Sequence, residues 1–287
     1  MRLGRLVLTH REKYIEKLKK FYLDAKRTEF LVVAYNQKTV DVSRFTSTDS
    51  FKLVPYCAGA EGECSATGRQ YRVWLSHIKQ FPEIEGWVVH DYDLVCRVPD
   101  REIFSRIKPD EYAMIGKAFP VRQEGMKDAG VDTFPFAQDH RHWHKLNPPN
   151  PVDEEVDALL MRRFPHTFQG IKTILGGYSD FIATSRKNFL LLDDPAVKDF
   201  SAGGNEQIPH SIWGAKGIQP VDLRPWYKMK ISLDVMYMPM DARYDMIHPV
   251  KIWEGESVPP RERAGNVKRK LKNFVKWLIG YQGWKRT

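Results

Sequence analysis

Apolar residues fall along the first hundred positions in two alternating rhythms. Leu6-Val7-Leu8 is a short unbroken run of strand type, and from Arg11 to Ala25 the positions Tyr14, Ile15, Leu18, Phe21, Tyr22 and Ala25 recur at helical spacing. Phe30-Leu31-Val32-Val33-Ala34-Tyr35 is a second strand-like run that stops at Asn36. Together these predict a βαβ unit. A further helical pattern follows Gly68 through Tyr71, Val73, Trp74 and Ile78, and Trp87-Val88-Val89 predicts the next strand. Strands alternating with helices imply an α/β fold with a mostly parallel sheet, and such sheets bind ligands at the carboxyl ends of their strands. Thr9-His10, Asn36 and His90-Asp91-Tyr92-Asp93 are predicted at those ends.

The rhythm then loosens. Residues 117–150 are rich in Gly, Pro and polar residues, and Asn147-Pro148-Pro149-Asn150-Pro151 can be neither helix nor central strand, which predicts a long loop or lid. Regular patterns return as a helix over Glu154–Arg163, a strand at Phe181-Ile182-Ala183-Thr184 after Gly176-Gly177, and a helix over Glu206–Gly214 after Gly203-Gly204-Asn205. Val258-Pro259-Pro260 closes the body, and Asn266 opens a last helix. This predicts two parts: a domain over 1–258 and a tail over 259–287. No internal repeat is visible.

Composition narrows the picture. A chain of 287 residues, 42% hydrophobic and 12% aromatic, can bury a sizeable core. No apolar segment approaches the roughly 20 residues that span a bilayer. The start, Met1-Arg2-Leu3-Gly4-Arg5, lacks a signal-peptide pattern, so a cytoplasmic location is expected. Cys57, Cys64 and Cys96 are an odd count without CxxC spacing and predict free thiols. The net charge of +9 is concentrated in the tail. Residues 261–287 hold nine Lys and Arg against one acid, a net of +8, which leaves +1 for residues 1–260. A body so nearly neutral argues against a protein that grips nucleic acid.

In the tail, Val267, Leu271, Phe274, Leu278 and Tyr281 share one helical face, and Lys268, Arg269, Lys270, Lys272 and Lys276 cover much of the rest. Such a helix suits an anionic membrane surface at about 1 kcal/mol per basic residue. Packing of the stripe on the body or on a second subunit is the equal alternative.

The chemistry concentrates at Gly86-Trp87-Val88-Val89-His90-Asp91-Tyr92-Asp93-Leu94-Val95, where an apolar run ends in two aspartates one residue apart. Residues i and i+2 of a strand share a face, and adjacent carboxylates repel unless a cation lies between them. Hard oxygen ligands suit Mg²⁺ or Mn²⁺ holding a phosphate. The stretch resembles the DxD motif of the GT-A glycosyltransferases. Four further segments resemble that family in its order: the Leu6–Ala25 strand-loop-helix, Ser65-Ala66-Thr67-Gly68-Arg69-Gln70-Tyr71-Arg72, Leu175-Gly176-Gly177-Tyr178-Ser179-Asp180-Phe181 with Asn205-Glu206, and Met246-Ile247-His248-Pro249-Val250-Lys251-Ile252-Trp253. Together they cover roughly residues 5–255.

The resemblance implies a GT-A-like, Rossmann-type sheet and transfer of a sugar from a nucleotide-diphosphate sugar, foremost a UDP-sugar. The acceptor would be a saccharide or a lipid-linked saccharide. It implies that Asp91, Asp93 and His248 hold Mn²⁺ or Mg²⁺, and that Thr9 and His10 meet the base. Arg69 or Arg72 reaches the donor and Lys251 the diphosphate, with Asp91 on the cofactor side as well. Asp180 or Glu206 would be the general base if configuration is inverted; the arginine and His-Pro-Val-Lys segments look more like retaining enzymes. A lipid-linked acceptor would fit a tail, residues 262–287, docked at the inner face of a membrane.

Two other readings stand beside this one. Asp139-His140-Arg141-His142-Trp143-His144 places three histidines at alternate positions, and with His90, Asp91 and Asp93 could form the metal centre of a phosphoester hydrolase. A non-catalytic module that binds membranes through the basic tail is the second.

Overall fold

The computed structural model describes residues 1–56, 70–116, 119–120, 175–176, 180–193, 208–231 and 238–253. The expected lid (apart from Phe119–Pro120), the helix over Glu154–Arg163 and the whole tail lie outside the described residues.

The predicted βαβ unit is present. Strand β1 (Leu3–Thr9) leads into a helical stretch that begins with a 3-10 turn at Glu12–Tyr14, passes through α1 (Ile15–Leu18) and ends in a π turn at Lys19–Asp24. The chain returns as β2 (Leu31–Asn36) and continues to β3 (Phe51–Tyr56), α2 (Gln70–Gln80) and β4 (Gly86–Asp91). Then follow β5 (Val95–Cys96), α3 (Asp100–Phe104), β6 (Glu111–Met114), and the short pair β7 (Phe119–Pro120) and β8 (Leu175–Gly176). After them come β9 (Phe181–Ser185), α4 (Arg186–Leu190), α5 (Ile208–Ala215) and β10 (Gln219–Asp222). Four short strands finish the described chain: β11 (Met229–Ile231), β12 (Met238–Pro239), β13 (Met246–His248) and β14 (Val250–Ile252).

Seven strands form the central sheet in the order β10-β6-β9-β4-β1-β2-β3. All pairings are parallel except those of β9, which runs against both β4 and β6. Six strands thus send their carboxyl ends to one edge, and β9 starts from that edge. The fold class is α/β with a mostly parallel sheet and flanking helices, as the alternating rhythm predicts.

All seven residues of β1 are buried, as befits a strand covered on both faces. Leu6 and Leu8 belong with Trp74, Ile78 and Trp87 in one core cluster, whereas Val7 packs with Tyr14, Ile15, Leu18 and Tyr22 in the other. This is the period-2 alternation of a strand between two helical layers. Within this sheet the strands the pattern does not announce are β3, β6 and β10, and the two at the sheet edges, β3 and β10, carry Pro55 and Pro220, which fit an edge because proline has no N–H for the ladder.

Close approach at the amino edge depends on glycine. A Cβ at Gly86 would meet Leu3 Cδ2 and Phe104 Cε1, each at 2.7 Å. Gly86→Ala is expected to lower unfolding free energy by about 1–3 kcal/mol through overpacking. Chemical denaturation checks this; an unchanged midpoint would mean that Phe104 yields freely.

Candidate active site at the carboxyl edge of the sheet

Strand β4 delivers the acidic pair. Its last residue is Asp91, after which the chain turns: Tyr92 N–H donates to Leu8 O at 2.9 Å, and Leu94 N–H donates to Asp91 O at 3.1 Å. The turn leads into β5, which pairs antiparallel with β13 so that Met246 faces Cys96 and Ile247 faces Val95. That register carries the next residue, His248, back to the turn. Val250 N–H closes the arrangement by donating to Asp93 O at 2.6 Å.

His248 Nε2 lies 3.6 Å from Asp93 Oδ1 and 3.7 Å from Asp180 Oδ2. Asp180 arrives because β9 is reversed. Phe181 pairs with His90, so the residue before it enters beside the end of β4. Asp93 and His248 are buried and Asp180 is partly so. Burial lowers the His248 pKa, but the nearby carboxylates of Asp93, Asp180 and Asp91 outweigh it, and the net shift is upward. Three carboxylates predicted from sequence, Asp91, Asp93 and Asp180, therefore act on the predicted His248, the four coming from three separate chain segments.

The other predicted residues fare differently. Thr9 is buried at the end of β1, and its hydroxyl is engaged with the backbone of Arg11, accepting from N–H and donating to O at 3.1 Å each. His10 is exposed and sits edge-on to Tyr92, with ring centroids 4.9 Å apart. Tyr92 in turn packs on Tyr14 at 4.6 Å, and Trp253 adjoins Tyr14 at 6.0 Å, so a buried aromatic cluster backs the acidic turn. Arg72 lies on α2, where its Nε donates to the Tyr71 hydroxyl at 3.3 Å. Lys251 is in β14, three residues after His248. Arg69, Glu206 and the Asp139–His144 cluster lie outside the described residues.

Beneath the turn is a polar layer that the sequence reading does not single out. Arg5, fully buried on β1, forms an ion pair with buried Asp100 and stacks 4.2 Å from the Tyr22 ring. His90 Nε2 lies 3.5 Å from the Arg5 guanidinium, and His90 Nδ1 lies 2.8 Å from Asp91 O. The sequence carries a signal of this layer: Arg5 interrupts Leu3-Gly4-Arg5-Leu6-Val7-Leu8 and His90 ends Trp87-Val88-Val89-His90. Polar groups within apolar runs must find partners once buried.

These environments carry a pH consequence. Burial and then the Arg5 charge push His90 down to about 3, and burial pushes His77 down to about 4. Both rings are neutral when folded, while in the unfolded chain each binds a proton near the ordinary 6.5. The unfolded state then holds more protons, so this stability is present above pH 6.5 and falls by about 1.4 kcal/mol per pH unit per ring as the pH drops toward the folded values. His248, shifted upward, acts oppositely: its contribution is present in acid and is lost as pH rises through its folded value. Urea midpoints are expected to fall between pH 6.5 and about 4, and more shallowly for His77→Gln. Parallel profiles for the two proteins would contradict the assignment to His77.

Among the described residues, no three His, Cys, Asp or Glu side chains stand around a common point in the manner of an assembled metal centre. The donor chemistry nevertheless fits a hard dication, because carboxylate oxygens and one imidazole nitrogen suit Mn²⁺ or Mg²⁺. Even a protonated His248 cancels one of the three negative charges that act on it. No helix among the described residues is long and apolar enough to cross a membrane.

No protein-family model and no curated protein matches the chain in sequence. Among solved structures it is similar to the galactosyltransferase LgtC, crystallised with donor and acceptor sugar analogues, over 80% of this chain and 76% of that one, at 8% identity and a TM-score of 0.40. It is also similar to HddC from Yersinia pseudotuberculosis over 42% of this chain and 60% of that one, at 12% identity and a TM-score of 0.28. Both likenesses are too distant to carry anything about fold or chemistry.

Proposed function

We propose that the protein is a metal-dependent glycosyltransferase that moves a sugar from a nucleotide-diphosphate sugar, foremost a UDP-sugar, to a saccharide or lipid-linked saccharide. The observation that carries this reading is the convergence of Asp93, Asp180 and His248 at the carboxyl end of β4. In a parallel sheet, that edge is where ligands bind.

Asp91, Asp93 and His248 would hold Mn²⁺ or Mg²⁺, which when bound neutralises charge on a departing nucleoside diphosphate. Lys251 and Arg69 or Arg72 share that load through their fixed positive charges. His10, exposed after the end of β1 with its ring edge-on to buried Tyr92, would meet the base. Asp180, in contact with the same imidazole as Asp93, accepts a hydrogen bond from a sugar hydroxyl, and it or Glu206 takes the acceptor proton if configuration is inverted. Residues 262–287, with their basic amphipathic pattern, would bring this edge to an anionic membrane surface.

A turnover screen tests the reading. The full chain is incubated with UDP-sugars, Mn²⁺ and simple saccharides, and UDP release is followed. UDP release that requires Mn²⁺ and is accelerated by an acceptor is expected. Release of phosphate from a phosphoester with no sugar donor consumed would contradict it and favour the hydrolase.

A further inference from the structure

Arg5 and His90 lie directly beneath the acidic turn, and their contacts admit one consistent proton arrangement. A guanidinium only donates hydrogen bonds, so the Nε2 that faces Arg5 at 3.5 Å presents its lone pair. The single proton of the neutral ring is then on Nδ1, where it donates to Asp91 O at 2.8 Å. The reverse tautomer would set N–H against a donor and a lone pair against a carbonyl, losing both contacts. Arg5 is itself held by Asp100 Oδ1, 3.0 Å from Nε, and by Val98 O, 3.3 Å from NH2.

The far end of the turn is tied to the same guanidinium. Arg5 stacks on Tyr22, whose hydroxyl donates to Leu94 O and accepts from Cys96 N–H, both at 3.2 Å. One buried cation thus orients both side chains that grip the turn, His90 at Asp91 and Tyr22 at Leu94.

We propose that Arg5 is a positioning residue that acts through His90 and Tyr22 to set the backbone of Asp91–Leu94, so that the two carboxylates are presented before any ligand arrives. The inference rests on the glycosyltransferase reading only for what the turn holds. Merely filling space beneath the turn would ask nothing of hydrogen bonding, and any ring of similar size would serve.

The test compares the full-length parent with His90→Phe, His90→Asn and the double variant Arg5→Met/Asp100→Leu. The Asn side-chain N–H reaches the place of Nδ1–H, and the double variant removes both buried charges without stranding either. Amide exchange in metal-free protein is the first readout. At Tyr92 and Leu94, His90→Phe and the double variant are expected to exchange at least about tenfold faster than the parent, with Val32 and Val33 unchanged, and His90→Asn to restore protection to within about threefold. Ring-nitrogen NMR of the parent is expected to show His90 protonated on Nδ1. Parental exchange in His90→Phe, or a proton on Nε2, would overturn the proposal.

Calorimetric binding of UDP with Mn²⁺ separates it from the functional reading. A parent that binds while His90→Phe binds about 10–100-fold more weakly supports both. A parent that binds while His90→Phe binds equally well overturns the positioning role. A parent that fails to bind contradicts the glycosyltransferase reading, and the exchange data then decide the positioning of the turn by themselves.

Discussion

Asp91→Asn and Asp93→Asn are each expected to weaken Mn²⁺-dependent UDP binding by at least about 100-fold, since loss even of a partner one shell removed from a metal typically costs 10–100-fold. The amide keeps the size and much of the hydrogen bonding but removes the charge that attracts a hard dication. Fold should survive. Asp91 ends its strand at partial exposure, and three carboxylates act on one imidazole, so deleting one charge relieves repulsion in the metal-free protein. Metal-free Tm is therefore expected to stay within about 3 °C of the parent. Calorimetric titration alongside a melting curve reads both quantities. Binding retained in Asp91→Asn/Asp93→Asn would remove the acidic turn from the ligand site, however well the rest of the edge is formed.

Asp100→Ala should be the most damaging single change to stability. Arg5 is fully buried and Asp100 is 1% exposed, so truncating Asp100 leaves a guanidinium without its counter-charge in the interior. Burial opposes the Arg5 charge, and Asp100 more than restores it. Breaking one side of such a pair costs about 3–5 kcal/mol, whereas replacing both partners with apolar residues is often neutral. A drop in Tm of roughly 10 °C is expected for Asp100→Ala, against a small change for Arg5→Met/Asp100→Leu. If both variants lose the same stability, the cost lies in lost packing and hydrogen bonding of the side chains, such as Arg5 NH2 on Val98 O, and the charge pairing is incidental.

Which parts of this protein can be read from its sequence depends on how local their causes are. Strands β1, β2, β4 and β9 are legible because each is an apolar run buried on both faces, and the helix from Arg11 shows its buried positions Tyr14, Ile15, Leu18 and Tyr22 at helical spacing. The edges are not legible in the same way. In β3 only Phe51 and Val54 are buried, and no residue of β10 is, so alternation is weak where one side of the ladder meets solvent. Nor does an apolar run encode its direction. Phe181-Ile182-Ala183-Thr184 reads as a strand either way, yet its reversal is what brings Asp180 to the carboxyl edge.

The site divides along the same line. Asp91 and Asp93 announce themselves by spacing, and family resemblance proposes Asp180 and His248. What joins them is the pairing of β13 with β5, a contact between segments some 150 positions apart in the sequence. Thr9 illustrates the opposite case: its hydroxyl is used by the turn it begins, so a position at the end of β1 does not by itself make a side chain available to a ligand. Arg5 and His90 lie in apolar runs, where a single polar residue is easily read as noise. Their meaning depends on Asp100 and Tyr22, which the fold brings to them.

The carboxyl edge of this sheet is proposed to bind a nucleoside diphosphate through a divalent cation. A thermal-shift panel of UDP, GDP, ADP and CDP, each with and without Mn²⁺, tests it on the intact protein. Binding at a hundred times Kd stabilises the native state by about 2.7 kcal/mol, which corresponds to a Tm rise of about 5 °C for a chain of this length. Such a rise is expected for at least one nucleotide, with UDP first, and it is expected to need Mn²⁺ and to disappear in Asp91→Asn/Asp93→Asn. A panel that leaves Tm unmoved at saturating nucleotide and Mn²⁺, or a rise that persists in the Asn variant, would contradict it.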